Sequence, residues 1–455
     1  MKKFLSPKIM FLAKKLNNPL YVVGGFVRNY LIDGSKSEDI DLASPCLTSE
    51  LVAVLPDCGF NVIAEYNRTG TVVFEGDGNR YEFTSFRTES YLPGGAHTPD
   101  SVIFTKDIVK DATRRDFTCN AVYYDILKDK FIDPLNGIED INNKVLKTTI
   151  SAKEVFSHDG LRLMRLARFM AELDFKVDLD TLSGAKLYAK NIKDVAVERV
   201  YAELKMILLS DKKYSFSNKK GHYEGLKLLD EIGVLDYIFP DLTLGRNMEQ
   251  RKDFHKYDVL EHSLRCVLYA EPSIRLFALL HDIGKPYAMQ KYGKYHTHAK
   301  DGEIIVKSAL EGLKADMETI KKAQFLVGAH MFDVKEDMRE SKIRRLIVEN
   351  YKYFDDLINL KIADYRACKD QTGEPQTTVR WKKLREKMEK DGTPFNIGDL
   401  KVSANELINL GFKGKKLGDE LKKLFWVCVL NPDFNQKDKL LKMAEKSLAL
   451  DNKLM

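Results

Sequence analysis

The sequence has few cysteines and no Cys-x-x-Cys pair. Among 455 residues it has six cysteines, and these are scattered. Their spacing argues against a disulfide framework and against a zinc finger. We therefore expect a protein of the reducing cytoplasm. The six positions are Cys46, Cys58, Cys119, Cys266, Cys368 and Cys428.

Long apolar runs are also missing. No stretch approaches the ~20 apolar residues that a membrane span needs. The first residues, MKKFLSPKIMFLAKKL, carry Lys8, Lys14 and Lys15 among the apolar ones. They predict an amphipathic first helix and not a signal peptide. We expect no membrane partner.

A strong excess of one charge is absent as well. The 73 Lys and Arg residues stand against 67 Asp and Glu residues, which leaves a net charge of +6. This mild balance permits a nucleic-acid partner without demonstrating one. A chain of 455 residues with 44% hydrophobic residues is long and apolar enough for several packed domains.

Residues 21–44, YVVGGFVRNYLIDGSKSEDIDLAS, predict a strand, a helix and a second strand. The first strand leads into Gly24 and Gly25, which let the backbone approach a ligand closely. The start of the helix offers free N–H groups to an anion. Arg28 lies one turn further on and is placed to reach the same phosphates. The second strand is predicted over residues 38–42.

The second strand carries Asp39 and Asp41, which share one face because side chains two apart on a strand point the same way. Two such carboxylates can hold divalent cations for displacement at phosphorus, and we predict Mg²⁺ here. The predicted strand 80–85 offers Glu82 as a third carboxylate. Taken alone, Asp-x-Asp is usually a solvated strand end and Gly-Gly a turn. Glu82 is as readily an exposed strand residue.

In this order, the features resemble the head of nucleotidyltransferases related to DNA polymerase β. The resemblance is specifically to class II tRNA CCA-adding enzymes and bacterial poly(A) polymerases. It implies that Asp39 and Asp41 are catalytic. It also implies that Gly24, Gly25 and Arg28 bind nucleotide. One departure is Asn29, where the family usually has Asp.

A second motif, RRDFTCNA, occupies residues 114–121. Arginine grips phosphate oxygens bidentately, Asp accepts from a sugar hydroxyl, and Asn can do either. By itself such a cluster is most often a surface salt-bridge network. The motif resembles the family's second signature, which implies that Arg115, Asp116 and Asn120 hold the incoming nucleotide. Asp116 would favour ribose over deoxyribose.

From about residue 150, helical periodicity replaces strand signals. Asp159 and Arg162 lie three apart and are predicted to share a helix face. A carboxylate accepting from an amino group, beside a guanidinium donating to a ring acceptor, fits cytosine and adenine and rejects uracil and guanine. An isolated Asp-x-x-Arg is usually a plain surface ion pair.

The same segment resembles the family's E-D-x-x-R base-reading stretch and the arginine-rich helix that follows it. The resemblance implies nucleotide-binding roles for Asp159, Arg162, Arg165 and Arg168. His158 stands where the family has Glu.

Histidines concentrate between His255 and His330, where six of the nine lie. Each one alone is more often a core or surface residue. Together with two aspartates they form an ordered H…HD…H…H…D set, which resembles the HD phosphohydrolase superfamily. The set is His262, His281, Asp282, His298, His330 and Asp364.

The HD resemblance implies a site for a divalent transition metal or Mg²⁺, which would activate water for phosphoester hydrolysis. His296, two residues from His298, is an alternative ligand. A degenerate HD fold that serves as a scaffold or RNA rest is the alternative function. Further on, residues 407–418 are rich in Gly and Lys and resemble the family's tRNA-binding tail. A helix–loop–helix with solvated lysines fits them equally well.

We therefore predict an α+β protein with a polymerase-β-like nucleotidyltransferase head followed by all-α neck, body, HD and tail domains. The predicted domains are a head over residues 1–148, a helical neck and body over 149–250, an HD domain over 251–370 and a tRNA-binding tail over 371–455.

The predicted reaction is template-independent addition of CCA to the 3′ end of tRNA from CTP and ATP by a two-metal mechanism. Poly(A) synthesis, or addition of CC or A alone, is the alternative within the family. From another class, the chain could be an HD phosphohydrolase with a relic RNA-binding head.

Overall fold

The computed structural model describes residues 1–36, 39–91 and 99–454, with the last four of these as backbone only. The chain divides into two compact units. The first unit comprises Met1–Thr243 and Ala309–Ala315, and the second comprises Leu244–Ser308 and Asp316–Met455. The finer four-domain division stays a prediction.

The first unit is built on a seven-stranded mixed sheet with strand order β3-β4-β5-β2-β1-β8-β9. Strands β2 and β5 run parallel, and the other neighbours run antiparallel. A hairpin (β6–β7) and a short parallel pair (β10–β11) complete the described strands. Their bounds are β1 Tyr21–Val23, β2 Ile40–Ser44, β3 Asn61–Tyr66, β4 Thr71–Gly76, β5 Asn79–Ser85, β6 Arg87–Ser90, β7 Ser101–Phe104, β8 Tyr123–Asp125, β9 Lys130–Ile132, β10 Val145–Leu146 and β11 Lys176–Val177.

Twelve described helices in the first unit surround and follow this sheet. They are α1 Pro7–Lys15, α2 Gly25–Asp33, α3 Thr48–Val54, α4 Ile108–Thr113, α5 Gly137–Asn142, α6 Ala152–His158, α7 Leu161–Leu173, α8 Leu179–Leu187, α9 Val197–Leu208, α10 Gly221–Glu231, α11 Leu235–Ile238 and α12 Pro240–Thr243. The predicted amphipathic first helix is α1, which Ser6 caps by accepting from the Ile9 N–H.

Alternation along the strands decides which side chains enter the core. In β5, Tyr81 and Phe83 are buried while Glu82 between them is exposed, as predicted. Beneath the β1–β2 pair, the rings of Tyr21, Phe86 and Tyr123 form a buried cluster with centroids 5.7–6.0 Å apart. This rigid layer supports the strands that carry the candidate site.

The described part of the second unit is helical. It contains α13 Val259–Tyr269, α14 Arg275–Leu280, α15 Lys285–Tyr292, α16 His298–Gly312, α17 Met317–Ala329, α18 Glu340–Glu349, α19 Phe354–Lys369, α20 Gln376–Lys390, α21 Ala404–Leu410, α22 Gly414–Leu430 and α23 Lys437–Leu454. Helix α13 packs against α14 and α19, which brings three histidine- and aspartate-bearing segments together. All six cysteines are free thiols. Within the described residues, none of the helices has the length and apolarity needed to cross a membrane.

Candidate functional site

Asp41 lies on β2 between two neighbouring strands, opposite Val23 of β1 and Glu82 of β5. Because laterally paired residues project to the same side of a sheet, Asp41 and Glu82 share a face. Asp41 is partly buried and Glu82 is exposed. The sheet register therefore places a second carboxylate beside Asp41.

Asp39 is exposed and lies immediately before β2, which begins at Ile40. The predicted strand 38–42 was therefore placed too early, and Glu38 lies outside the described residues. The strand ends at Ser44 because its parallel pairing with β5 extends to Ser85. Asp39 is close enough for its negative charge to raise the pKa of Asp41.

Gly24 lies against the Asp41 carboxylate, and the close approach to a ligand that the sequence predicts for Gly24 and Gly25 stays a prediction. Gly24 precedes α2 with φ +76°, and a Cβ at this position would lie 2.7 Å from Asp41 Oδ2. A larger residue would therefore be strained and would displace the carboxylate. Gly25 is the first residue of α2. A Cβ on Gly25 would lie 3.5 Å from Arg28 Nη2, an ordinary van der Waals distance.

The electrostatics of Asp41 favour a cation. Burial, and next the negative charge of Glu82, raise the pKa of the Asp41 carboxyl to about 6 against the opposing charge of Arg115. Asp39 acts in the same direction as Glu82. A divalent ion relieves such crowding of like charges, so Asp39, Asp41 and Glu82 fit an oxygen-ligated metal.

The RRDFTCNA motif forms one hydrogen-bonded group with the arginine-rich helix. Asp116 Oδ2 accepts from Arg165 Nε and lies 2.6 Å from its Nη2. Asp116 Oδ1 accepts from Asn120 Nδ2 at 3.0 Å, and Asn120 Oδ1 accepts from Arg28 Nη1 at 2.7 Å. Four predicted nucleotide-binding residues from three segments of the chain thus contact one another.

The group continues into the helical part of the first unit. Arg168 Nε donates to Glu203 at 2.6 Å, and its Nη1 lies 3.3 Å from Glu172. The guanidinium groups of Arg28, Arg165 and Arg168 surround the Phe169 ring, with 4.3–5.0 Å between guanidinium carbon and ring centroid. Arg168 is buried and its charge is matched by two carboxylates. Its nucleotide contact stays a prediction.

Arg28 is buried, and its contacts lie within the protein. Its Nε and Nη2 both donate to Asn29 Oδ1, at 3.1 and 2.9 Å. Nη2 also donates to the Tyr214 hydroxyl at 3.3 Å. At position 29, where the family usually has Asp, the neutral Oδ1 of Asn29 therefore accepts both hydrogen bonds from the Arg28 guanidinium. The phosphate contact predicted for Arg28 stays a prediction.

Arg115 is anchored by a buried carboxylate. Its Nη2 lies 2.9 Å from Asp111 Oδ2, and its Nε donates to the Tyr123 hydroxyl at 3.0 Å. Burial would raise the pKa of Asp111, but Arg115 and Arg114 overcome it and lower this pKa to about 2. One aspartate, Asp111, therefore orients both Arg114 and Arg115.

Asp159 and Arg162 do not share a helix face, so that prediction was wrong. Helix α6 ends at His158, Asp159 is extended, and α7 begins at Leu161. The break is at Asp159, whose extended backbone separates the two helices and whose Oδ1 accepts from the Leu161 N–H at the start of α7. Gly160 allows the chain to pass close to Asn191, because a Cβ here would lie 2.3 Å from the Asn191 carbonyl oxygen.

The Asp159–Arg162 pair is nevertheless adjacent and buried. Asp159 Oδ1 accepts from the Leu161 N–H at 2.9 Å, and its Oδ2 lies 3.9 Å from Arg162 Nε. Arg162 Nη2 donates to the Arg114 carbonyl at 2.7 Å, which links this segment to the RRDFTCNA motif. His158 stacks on Tyr91, with ring centroids 5.0 Å apart.

In the second unit, all six residues of the predicted HD set come together. Asp282 is at the centre. Its Oδ2 lies 3.1 Å from His281 Nε2 and 3.5 Å from His262 Nε2. Its Oδ1 lies 3.3 Å from His298 Nε2 and 3.5 Å from His330 Nε2. One carboxylate therefore faces two pairs of imidazoles.

Asp364 and His298 complete this picture. Asp364 Oδ1 lies 3.0 Å from His262 Nε2 and 3.8 Å from His281 Nε2. His298 Nε2 lies 3.1 Å from His330 Nε2, whereas the alternative His296 is exposed. The structure thus selects His298 over His296 as the member of the cluster.

Backbone carbonyls orient three of the rings. The Nδ1 atoms of His281, His298 and His330 lie 2.6–2.8 Å from the carbonyl oxygens of Ala278, Tyr295 and Val327. An Nδ1–H donated to a carbonyl leaves Nε2 with its lone pair for a metal. Burial lowers the pKa of His330 to about 4, which keeps its ring in the neutral, ligating form.

Unpartnered buried atoms also fit a cation here. His281 Nε2, Asp282 Oδ1 and both ring nitrogens of His262 are buried without a hydrogen-bond partner. Groups of three ligand atoms lie within 4.8 Å of one another in two sets that share Asp282. The donor set fits one metal on each side of this carboxylate.

Sequence reasoning missed several supporting residues. Lys285 Nζ lies 2.6 Å from Asp282 Oδ2, and the i,i+3 spacing from Asp282 was its only signal. Glu172 contacts Arg168 from the same helix at i,i+4 spacing, which was its only signal, whereas Glu203 reaches Arg168 from α9 and no local pattern pairs residues so far apart in sequence.

Comparison with known proteins identifies three segments. Residues 20–147 match the poly A polymerase head domain. Residues 174–244 match a segment described as "Probable RNA and SrmB- binding site of polymerase A". Residues 259–356 match the HD domain.

Two curated relatives and one solved structure are similar. The CCA-adding enzyme of Staphylococcus epidermidis is 37% identical over 204 residues, which are 44% of this chain and 49% of the relative. The A-adding tRNA nucleotidyltransferase of Deinococcus radiodurans is 29% identical over 367 residues, 76% of each chain. The Bacillus stearothermophilus CCA-adding enzyme in complex with CTP is 22% identical at a TM-score of 0.67, covering 99% of this chain and 100% of that one.

These matches differ in what they establish. The chain spans about half the length of the CCA-adding relative from Staphylococcus epidermidis. The structural likeness, at 22% identity, shows the fold alone: an α/β head with a sheet followed by many helices, which confirms the predicted α+β fold class. Residues 20–147 are therefore a poly A polymerase head domain and residues 259–356 an HD domain, in a chain that is similar to enzymes named CCA-adding enzyme and A-adding tRNA nucleotidyltransferase.

Proposed function

We propose that this chain adds C, C and A to the 3′ end of tRNA, using CTP and ATP and no nucleic-acid template. One observation carries the proposal: Asp41 and Glu82 lie side by side on a sheet face, with the Gly24 backbone against Asp41. Arg115 and Arg165, from the two arginine-rich motifs, are close enough to Asp41 to lower its pKa. Relatives named CCA-adding and A-adding enzymes support this reaction class.

In this proposal Asp39 and Asp41 hold Mg²⁺, with Glu82 beside them. Such ions, when bound, lower the pKa of the attacking RNA 3′-hydroxyl and neutralise the departing pyrophosphate. Carboxylates on a rigid strand keep the reacting phosphate in line, which is the protein's main contribution to this chemistry. The anchoring of β2 between β1 and β5 supplies that rigidity.

Asp116, Asn120 and Arg165 form the proposed nucleotide grip. Their mutual hydrogen bonds fix each side chain before substrate arrives, so little entropy is lost on binding. Arg115 is oriented by Asp111 in the same way and is proposed to bind phosphate oxygens. Asp116 is proposed to accept from the ribose hydroxyl, which would distinguish CTP and ATP from deoxynucleotides.

Asp159 and Arg162 are proposed to read the base edge. The carboxylate accepts from the amino group of cytosine or adenine, and the guanidinium donates to the ring nitrogen. For this contact Arg162 Nη2 must exchange the Arg114 carbonyl for the base. That carbonyl adjoins Arg115, so base reading and phosphate binding are coupled through one short segment.

The Asp282-centred cluster favours a second activity, hydrolysis of a phosphoester. The six proposed metal ligands are His262, His281, Asp282, His298, His330 and Asp364, and a bound metal supplies an activated water. Lys285, within 2.6 Å of Asp282, is positioned to orient that carboxylate.

The decisive experiment uses the full chain, Mg²⁺ and tRNA trimmed by one, two or three nucleotides, with CTP and ATP singly and together. We expect ordered addition of C, C and A that stops after the A. Addition of A alone to tRNA ending in CC, with no use of CTP, would replace the proposal with A addition. Long A tracts on arbitrary RNA would replace it with poly(A) synthesis.

A further inference from the structure

A third group of metal-ligating side chains lies beside the Asp282-centred cluster. It consists of His255, His262 and Cys368, whose ligand atoms all lie within 4.8 Å of one another. His255 lies in the loop before α13, and Cys368 lies in the last turn of α19. Three separate segments therefore bring two imidazoles and a thiol to one point.

The backbone holds this arrangement in place. The Lys256 N–H donates to the Cys368 carbonyl at 2.9 Å. Lys369 Nζ donates to the Asp253 carbonyl at 2.6 Å, which attaches the same loop to the end of α19 a second time. His255 is thus positioned against Cys368 by hydrogen bonds on both sides of it in sequence.

The ligand atoms of the histidines are available. His255 Nδ1 and His262 Nδ1 are both buried and lack a hydrogen-bond partner. The two rings meet edge to face, with centroids 4.8 Å apart. Buried polar atoms are normally paired, so these unpartnered ring nitrogens fit ligands of a metal ion.

The chemistry of this group differs from that of the Asp282 cluster. Cys368 and Asp364 are four residues apart on α19, and the Cys368 Sγ lies 3.9 Å from Asp364 Oδ1. A thiolate with imidazoles suits Zn²⁺ or Co²⁺, whereas carboxylates and water suit Mg²⁺ and Mn²⁺.

We propose that His255 and Cys368 bind a further divalent transition-metal ion next to the Asp282-centred cluster, with a third ligand from His262 or Asp364. Binding releases the thiol proton to solvent, so the ligand is the thiolate. The inference rests on the part of the proposed function that gives the HD residues a metal. It adds a sulfur ligand and a position that the H…HD…H…H…D pattern does not contain.

The test uses the full chain loaded with Co²⁺ after removal of metals by a chelator. A cobalt–thiolate bond produces a sulfur-to-metal charge-transfer band in the near ultraviolet, which oxygen and nitrogen ligands do not. We expect the band in the wild-type chain, its loss in Cys368→Ser and its weakening in His255→Ala. Cys428→Ser, a buried thiol on α22, is the matched control and should keep the band.

Metal analysis gives the stoichiometry. Cys368→Ser and His255→Ala should each bind about one ion fewer per chain than the wild type. X-ray absorption of the Zn²⁺-loaded wild type should show sulfur among the ligands, and this needs no variant to fold. Cobalt bound without a charge-transfer band, or a band that persists in Cys368→Ser, would overturn this inference alone. A chain that binds no Co²⁺ would overturn the HD metal as well, and ordered CCA addition would be unaffected by either result.

Discussion

The two candidate metal sites of this chain are built in opposite ways. In the first unit, Asp39 and Glu82 are exposed, and only Asp41 is partly buried. In the second unit, the histidines around Asp282 are buried, and backbone carbonyls set the orientation of three of them. One site offers a few oxygen atoms on an open sheet face, and the other offers a nearly complete set of nitrogen and oxygen ligands.

The exposure and the ligand atoms of each site indicate which metal it suits. An open carboxylate site leaves room for the phosphates of a nucleotide to complete the coordination of Mg²⁺, which keeps water and phosphate ligands. A buried imidazole-rich site binds a resident transition metal without help from substrate. We therefore expect the two proposed activities, nucleotide addition and phosphoester hydrolysis, to respond differently to mutation, metal and pH.

The largest effect is expected from the carboxylates. Asp41→Asn or Asp39→Asn should lower the rate of nucleotide addition by about 10³-fold or more, because the ligands for the metal and the developing charge are lost. Single-turnover extension of trimmed tRNA measures this rate. Phosphoester hydrolysis by the second unit should be unchanged in these variants.

Asp282→Asn is the reciprocal variant. It should abolish hydrolysis and leave CCA addition at the wild-type rate. If the double variant Asp39→Asn/Asp41→Asn extended trimmed tRNA at the wild-type rate, these two carboxylates would not be the metal ligands for nucleotide addition.

Metal restoration should separate the sites next. After chelation, Mg²⁺ should restore nucleotide addition, and Mn²⁺, Co²⁺ or Zn²⁺ should restore hydrolysis about 100-fold better than Mg²⁺ does, because imidazole ligands favour the later metals. Parallel assays of both activities across the metal series measure this. Equal restoration of hydrolysis by Mg²⁺ would contradict a nitrogen-ligated site.

A stability effect is expected from the buried ion pairs behind the nucleotide grip. Arg168→Ala removes the arginine partner of Glu172 and the shorter of the two arginine contacts of Glu203, and should lower the free energy of unfolding by about 3 kcal/mol. Urea unfolding of the full chain measures the loss. The exposed Lys190→Ala is the control, with an expected change below about 0.5 kcal/mol. A loss of that small size in Arg168→Ala would show that the ion pairs do not support the grip.

The pH dependence of addition follows from Asp41. Burial and Glu82 raise the pKa of its carboxyl to about 6, so below pH 6 a proton competes with Mg²⁺ for the same oxygens. At low Mg²⁺ the rate should fall about tenfold per pH unit below this value, and it should be constant above it. Saturating Mg²⁺ should move the fall to lower pH. If the pH dependence of the rate did not change with the Mg²⁺ concentration, Asp41 would not be a Mg²⁺ ligand.

The smallest effect is expected at the Tyr91–His158 stack, because His158 immediately precedes the Asp159–Arg162 pair that is proposed to read the base. Tyr91→Leu removes a ring contact worth about 1 kcal/mol and should raise the KM for CTP and ATP about fivefold. Tyr91→Phe keeps the ring, loses the hydrogen bond to Glu89 and should change KM less. Identical effects of both variants would show that the hydroxyl and not the stack matters.

Local pattern was sufficient for much of the head. Strand alternation placed Glu82 on the face opposite the buried Tyr81 and Phe83, and the double glycine marked the end of β1 and the start of α2. It was not sufficient at Asp159, where helical spacing alone suggested a continuous helix. Asp159 is extended and separates two helices, and the segment passes close to the carbonyl oxygen of Asn191, a contact between residues 31 apart that local spacing does not reveal.

The types and order of the chemical groups can be read in the sequence itself: the aspartate pair after the two glycines, the arginine motif, and the H…HD…H…H…D set. Their resemblance to known motifs implied their roles. The tertiary structure decided which of these groups meet. It placed the His255 loop against Cys368, paired Arg168 with Glu203, and selected His298 over His296. Such choices depend on distances between segments remote in sequence, and local periodicity carries no information about those distances.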